Sequence, residues 1–282
     1  MIFKKLKTRL IEAGLSEEEK ARASQALQHL NSVGFDPWGV DPETLKASLA
    51  STIWLYKNYF RVITHGLKNL PQGRLLIIAN HSGQVPIDGM LIGTSLILEA
   101  NPPRLVRAMV EKWAPGLPFV STFFSRLGQV TGDHHNCRSL LENDECVMVF
   151  PEGVAGSGKT IFKRYELQKF GTGFIRLALE TKTPILPVAV IGCEESLPSI
   201  SDLNPFAKRV GIPYIPIIPT GLIPLPTKVT LRFADPILFD ADPDCSDFEV
   251  EKMVEQVKNS IRLEIELGLK ARGERIFTGA AV

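Results

Sequence analysis

Short apolar runs alternate with helical stretches from residue 61 onward. The runs are partly β-branched and bounded by Gly, Pro or Asn, which predicts strands at 74–80, 104–110, 146–150, 184–192 and 228–234. The stretches between them predict helices at 86–99, 113–127, 134–144 and 166–182. Alternating strands and helices are typical of the α/β class, so we expect a mostly parallel central sheet flanked by helices. A final amphipathic helix is predicted at 246–269.

An N-terminal helical segment, residues 1–60, is predicted to precede an α/β domain over 61–282. Ser16 stands before three glutamates and predicts the N-cap of a helix over 16–31. Asp41-Pro42-Glu43 begins a second predicted helix that ends near residue 60, with proline at its first position. This segment is either a separate small helical unit or a cover for the sheet.

The stretch 210–226 fits neither pattern, because five prolines interrupt its apolar residues. Proline lacks the backbone N–H that a helix interior or a central strand needs. One interpretation is a loop packed on the body of the domain. The other is a segment that faces lipid or lines an acyl-chain site.

Composition indicates a globular protein, with 44% hydrophobic and 22% charged residues. Lysine and arginine number 32 against 31 aspartates and glutamates, so the net charge of +1 gives no reason to expect a nucleic-acid partner. The sequence contains no run of about 20 apolar residues and no signal-peptide pattern. We therefore expect a cytoplasmic protein that associates peripherally with the inner face of a membrane.

No metal site is expected from the spacing of ligand-type residues. The four cysteines include no CxxC pair. His134 and His135 are adjacent, whereas helical metal ligands are better spaced three or four apart. These two histidines predict the polar start of a helix.

The first candidate for chemistry is the block NHSGQVPIDG (80–89), which follows the predicted strand 74–80. Loops at the carboxyl ends of parallel strands are where α/β sheets bind ligands. His81 and Asp88 form a minimal general-base pair, in which the imidazole takes a proton and the carboxylate fixes its tautomer. In one continuous helix the two would lie about 10.5 Å apart, so the chain must turn back between them. The alternative is a histidine that merely caps the loop.

The second block, VMVFPEGVAGSGKT (147–160), matches a phosphate-loop pattern from Gly153 to Thr160. A nucleotide-binding loop of this kind leads straight into a helix, and Lys159 would reach the phosphates. Here the next residues are a β-branched isoleucine and a phenylalanine, and a better helix start lies near 164–166. A P-loop-type nucleotide-binding protein is therefore kept as an alternative.

These blocks and PILPVAVIG (184–192) have the order and spacing of the glycerolipid acyltransferase superfamily, which the chain resembles over about residues 60–240. The first block is most similar to a bacterial branch of lysophospholipid or glycerol acyltransferases. The resemblance implies transfer of a fatty acyl group from acyl-coenzyme A or acyl carrier protein to a hydroxyl of a glycerolipid such as a lysophospholipid. The thioester is a substrate, so no bound cofactor is implied. A non-catalytic lipid-binding module and a hydrolase that uses water are further alternatives.

The resemblance also implies roles for individual residues. His81 would act as the base and Asp88 would orient it, while Glu152 and Gly153 would contact the acceptor. Ser82, Gly83 and Gln84 are candidates for stabilising the oxyanion through their backbone N–H groups. No G-x-S-x-G motif is present, which favours direct attack on the thioester over an acyl-enzyme.

Three departures from the family pattern bear on this assignment. Six residues rather than four separate the histidine from the aspartate of the first block. FPEG continues here with Val154-Ala155 in place of Thr-Arg, and 127–137 lacks an arginine that the family's second block often carries. Both losses favour a neutral acceptor, such as diacylglycerol, over a phosphate-bearing one. Against this stands a basic cluster: Lys159, Lys163, Arg164, Lys169 and Arg176. The cluster is a candidate for binding substrate phosphate or anionic lipid, and the alternative is a solvated helix face.

Overall fold

The apolar runs form the centre of a seven-stranded sheet in a computed structural model. The structure describes residues 2–27, 30, 36–82, 85–110, 120–202, 216–221 and 223–273. The sheet has the order β1-β9-β6-β2-β5-β3-β4. Its strands are β1 (Ile63–His65), β2 (Leu75–Ala79), β3 (Val106–Val110), β4 (Val130–Thr131), β5 (Cys146–Val149), β6 (Ile185–Ile191) and β9 (Thr230–Phe233). A separate antiparallel pair consists of β7 (Ser201–Asp202) and β8 (Pro216–Ile217).

The sheet is mostly parallel, which confirms the predicted α/β class. Strand β2 pairs in parallel with both β5 and β6, so that Ile77 lies between Met148 and Leu186. Only the pairing of β6 with β9 is antiparallel within this sheet, among the described strands. The five predicted strands are all present. The four strands that the pattern does not predict, β1, β4, β7 and β8, have only two or three residues each, too few for an alternating pattern to show.

Helices cover both faces of the sheet. Their bounds are α1 (Ile2–Gly14), α2 (Glu17–Ala26), α3 (Pro42–Trp54), α4 (Ile87–Leu98), α5 (Val120–Arg126), α6 (His134–Glu142), α7 (Gly153–Ser157), α8 (Gly173–Thr181), α9 (Cys193–Ser196) and α10 (Asp247–Arg272). Side chains from α4 and β2 share one core, and side chains from α6, α8 and α10 share the core on the other face. No helix in the described part of the chain is long and apolar enough to span a bilayer.

One predicted helix is wrong at its start. The pattern predicts a helix from residue 166, but α8 begins at Gly173. The backbone N–H of Tyr165 donates to Glu194 and that of Gln168 donates to Glu152. These bonds to side chains replace the helical ladder, and 164–172 therefore runs as an irregular segment. The helix predicted over 113–127 lies partly outside the described residues, as does much of 210–226.

The N-terminal helices pack on α4 rather than on the sheet itself. Apolar residues of α1, α2 and α3 share a third core with Ile97 of α4 and with Leu105. A buried ion pair joins this segment to the sheet, because Arg107 of β3 contacts Asp36 at 2.6 Å. Arg107 also contacts Glu145, at 3.1 Å. The domain boundary at residue 60 stays a prediction.

Candidate active site

The strand order opens a crevice at the carboxyl ends of β2 and β5. The chain leaves β2 toward β3 on one side of the sheet, and it leaves β5 toward β6 on the opposite side. In open α/β sheets such a reversal separates the two loops and creates a ligand-binding crevice. His81 follows β2 and Glu152 follows β5, so the two informative blocks of the sequence meet here.

His81 and Asp88 lie in direct contact across the turn after β2. The distance between His81 Nδ1 and Asp88 Oδ2 is 2.7 Å. Asp88 is in the first turn of α4, whose N-cap position is Pro86. The predicted turn of the chain between the two residues is therefore present, despite their separation of seven positions.

Asp88 is completely buried and fully hydrogen-bonded. Its Oδ2 also accepts from the backbone N–H of Ser82 at 2.8 Å and from the Ser82 hydroxyl at 3.2 Å. Its Oδ1 accepts from the backbone N–H of Gly89 at 2.7 Å. Backbone donors of this kind stabilise the ionised carboxylate and hold its plane toward the imidazole.

The imidazole of His81 is held so that its second nitrogen can act as a base. Burial lowers its pKa, but the charge of Asp88 and the hydrogen bond to it outweigh burial, and Glu152 adds to them, so the pKa is raised. The ring stacks on Phe150 with centroids 4.4 Å apart. With the Nδ1 proton directed at Asp88, Nε2 carries the lone pair, and it has no partner within the described part of the chain.

Glu152 joins three segments of the site. Its Oε1 accepts from the backbone N–H of His81 at 2.9 Å, and its Oε2 accepts from the backbone N–H of Gln168 at 2.8 Å. The FPEG turn that carries it closes with a hydrogen bond from Gly153 N to Phe150 O, and Gly153 has φ +53°, which favours glycine. Glu152 therefore sets the position of the His81 backbone.

Lys159 balances the charge of this buried carboxylate. Its Nζ lies 3.4 Å from Glu152 and 3.0 Å from Glu194, and all three side chains are buried. The glycine-rich residues before it form the short helix α7 rather than a loop around a ligand. This geometry corrects two expectations: Lys159 is occupied by two carboxylates instead of substrate, and the phosphate-loop alternative lacks its loop and its free lysine.

An apolar cavity of about 330 Å³ adjoins His81. This volume is within the usual range for small-molecule sites. The cavity lies between the carboxyl ends of β3 and β5 and the helices α6 and α8. Its lining includes His81, Met109, Val110, Gly153, Phe174 and Leu177. His134 also lines it, but pairs with Glu180 at 3.4 Å, as suits the polar helix start that the sequence predicts.

The structure gives several other predicted substrate contacts different surroundings. The N–H and hydroxyl of Ser82 both donate to Asp88, so this amide is not available to an oxyanion. Glu152 is buried, and both of its carboxylate oxygens accept hydrogen bonds from backbone N–H groups. Lys163 and Arg164 are exposed on the surface and do not line the cavity. Gly83 and Gln84 lie outside the described residues.

Three structural contributors carry no recognisable sequence signal. The side chain of Asn80 exchanges two hydrogen bonds with Val190, at 2.7 Å and 3.1 Å, and so fastens the end of β2 to β6. Phe150 supports the ring of His81, and Gln168 supplies an amide to Glu152.

The buried cysteines are poor nucleophiles. Burial raises the pKa of the Cys137 thiol to about 12, with a contribution from Asp133, although this residue lines the cavity. Burial raises the pKa of Cys146 to about 11 and that of Cys193 well above its ordinary value. Thiols with such pKa values stay protonated at neutral pH.

Within the described residues, no group of three or more His, Cys, Asp or Glu is arranged to hold a metal ion.

Comparisons with known proteins agree with this architecture. A family model described as Acyltransferase matches residues 61–191. An uncharacterized protein of Mycobacterium leprae is 33% identical over 288 residues, covering 92% of this chain and 77% of that protein. A DGAT1/2-independent enzyme synthesizing storage lipids from Mus musculus is 23% identical, covering 72% of this chain and 59% of that enzyme. The crystal structure of the 1-acyl-sn-glycerophosphate (LPA) acyltransferase PlsC from Thermotoga maritima shares the fold, with a TM-score of 0.55 and 21% identity over 81% of this chain and 82% of PlsC.

Proposed function

This chain belongs to the acyltransferase family, and we propose that it transfers a fatty acyl group from a thioester to a hydroxyl of a glycerolipid. The observation that carries the proposal is the pair His81–Asp88, joined at 2.7 Å and opening onto an apolar cavity. A base beside an apolar cavity suits a reaction in which a hydroxyl loses its proton next to an acyl chain.

The reaction follows from the position of His81. Its Nε2 takes the proton of the acceptor hydroxyl, and the oxygen attacks the thioester carbonyl carbon. A C–O bond forms, the C–S bond breaks, and the departing thiolate takes the proton from Nε2. Asp88 keeps the Nδ1 proton in place and stabilises the imidazolium in between. The raised thiol pKa values of the buried cysteines support this direct transfer over an acyl-cysteine.

A neutral acceptor such as diacylglycerol is favoured over a lysophospholipid. Val154 and Ala155 occupy the positions where the family pattern has Thr-Arg, and Lys159 is neutralised by two carboxylates. The Mus musculus relative is named as an enzyme synthesizing storage lipids, which supports this choice. Acyl-coenzyme A or acyl carrier protein is the proposed donor, and the proposed place of action is the cytoplasmic face of a membrane.

Release of free thiol from acyl-coenzyme A tests the proposal. The donor is offered with diacylglycerol, monoacylglycerol, lysophosphatidic acid or no acceptor. We expect acceptor-dependent release that falls by about 10²–10⁴-fold in His81→Ala, because the base is lost. The matched control is His134→Ala, which removes a histidine of the same cavity and should keep most of the activity.

Other outcomes of this assay would favour a different function or a different catalytic base. Thiol release without any acceptor would indicate a hydrolase. Release that is equal in His81→Ala would refute the assigned base. A repeat with acyl carrier protein as donor covers the second thioester class, and lipid binding without turnover in either assay would indicate a non-catalytic module.

A further inference from the structure

Four large apolar side chains are exposed on the catalytic edge of the sheet. Phe162 and Ile223 are 75% and 73% exposed, and Ile200 and Ile217 are also exposed. We call these four residues the edge patch. Single exposed apolar residues are ordinary, but a group of them marks an interaction site.

Backbone hydrogen bonds bring the segments of the edge patch together. Ile161 N donates to Ser199 O at 2.7 Å, which sets Phe162 beside the residues before Ile200. Ile200 N donates to Ile217 O at 3.0 Å. A further bond, from Leu225 N to Ser196 O at 2.6 Å, holds the stretch that follows Ile223 on the same surface.

The edge patch lies at the end of the sheet where the proposed reaction occurs. The segment 193–202 leaves the carboxyl end of β6, the strand directly beside β2. Phe162 stands three positions after Lys159, whose side chain contacts Glu152. Glu152 in turn accepts from the backbone N–H of His81. A flat partner that covered the patch would therefore face the same edge as the base.

Basic side chains accompany the edge patch. Lys163 and Arg164 directly follow Phe162 and are exposed. Arg61 is also exposed, and its guanidinium donates to Pro226 O at 2.7 Å, three residues from Ile223. Glu166 is the exposed acid in the same stretch. Apolar side chains with a positive rim are the combination that binds an anionic bilayer surface.

We propose that the edge patch docks on an anionic lipid bilayer and that Lys163 and Arg164 contact its headgroups. Docking in this orientation would turn the crevice at His81 toward the membrane that holds the acceptor. This inference rests on the proposed function for the identity of the acceptor. It makes its own claim about where the protein binds.

Flotation with phosphatidylcholine vesicles, with and without phosphatidylglycerol, tests the docking surface. The double variant Lys163→Ala/Arg164→Ala should lose about fivefold in vesicle affinity for each basic side chain, and only when phosphatidylglycerol is present. The double variant Phe162→Ser/Ile223→Ser should lose about tenfold or more with either vesicle, because it removes buried apolar area.

The chain offers a matched control far from this edge. Phe248 is 67% exposed, and Lys252 lies over its ring at 4.3 Å, so the pair repeats the chemistry of the patch. It stands at the start of α10, about 36 Å along the helix from Arg272, which pairs with Glu195 near the catalytic edge. The variant Phe248→Ser/Lys252→Ala should change vesicle affinity by less than about twofold.

Activity separates this inference from the proposed function. The edge-patch variants should lose thiol release with acceptor in vesicles and keep it with a short-chain acceptor in solution. His81→Ala should lose both activities and still float with vesicles. Patch-dependent flotation without any transfer would refute the proposed function alone.

The docking proposal is overturned by any of four results. Wild-type protein that does not float with vesicles would overturn it. Equal losses in the patch and control variants would also do so. So would binding that depends instead on the exposed Leu6 and Leu10 of α1, tested with Leu6→Ser/Leu10→Ser. Association of two protein copies through the patch, seen by sedimentation without lipid, would point to a protein partner instead.

Discussion

Replacing Asp88 by asparagine probes the proposed base without changing the size of the side chain. An amide has one acceptor oxygen and one donor group, whereas the carboxylate accepts at both oxygens. If the amide NH₂ of the asparagine takes the Oδ2 position, this NH₂ faces the N–H of Ser82, which then has no acceptor. The same NH₂ donates to His81 Nδ1, so the imidazole proton moves to Nε2. With the NH₂ at the Oδ1 position, it faces the N–H of Gly89.

Either orientation leaves one buried backbone N–H without an acceptor. We expect a loss of about 1–3 kcal/mol in the free energy of unfolding from that unpaired group. The activity loss should be larger in relative terms. The first orientation removes the free lone pair of Nε2, and both remove the negative charge that stabilises the imidazolium. We expect kcat/KM to fall by about 10²–10⁴-fold, which is about 3–5 kcal/mol of transition-state stabilisation.

Thermal unfolding and thiol release at low acceptor concentration measure the two effects separately. The control is Asp41→Asn, in which the changed residue is also at the start of a helix and accepts from Thr44 N at 2.7 Å. Asparagine caps helices about as well as aspartate, and the part-exposed ion pair of Asp41 with Lys7 contributes at most about 1 kcal/mol, so this variant should keep most of its stability and its activity. Asp88→Asn with kcat/KM within about threefold of wild type would refute the reasoning, because the charge and the tautomer would then not matter.

Three further predictions follow from the same site and from the core. The base is active only when neutral, so kcat/KM should rise with pH, with an apparent pKa above 6.5, the ordinary value for histidine. Asp88→Asn should shift this rise to lower pH, because the carboxylate raises the pKa of His81. A flat profile between pH values on either side of that limb would contradict it. Lys159→Met should lower thermal stability and activity together, because Glu152 and Glu194 lose their cation, and Lys159→Arg should restore part of both. An unchanged unfolding temperature in the methionine variant would disprove the pairing. Arg107→Met should cost about 3–5 kcal/mol in chemical unfolding, because it leaves two buried carboxylates unpaired, and a loss below about 1 kcal/mol would count against this.

Local patterns in the sequence account for the five predicted strands and for the pairing of His81 with Asp88. The strand β2 is apolar at every position and is buried at every position. The two chemical residues stand only seven positions apart, with a turn and a proline between them. Such features depend on neighbours along the chain, so they can be inferred before the fold is known.

Contacts between distant parts of the chain could not be inferred in this way. Glu152 looked like a substrate contact and Lys159 like a phosphate ligand, because each stands in a motif that suggests it. In the structure Glu152 accepts from an amide 71 positions away, and Lys159 pairs with a carboxylate 35 positions away. The late start of α8 has the same origin, since its expected first turns donate to these carboxylates.

The sequence by itself determined the class of the fold, the family and the two residues proposed to move the proton. Tertiary structure alone decided which carboxylates are buried, which cation balances them and which apolar residues are left exposed. The physical reason is that strand order brings β5 and β6 to either side of β2, and a single sequence carries no record of that order. Desolvation inside the resulting crevice then assigns each charged side chain a partner, because a buried charge without one is unstable.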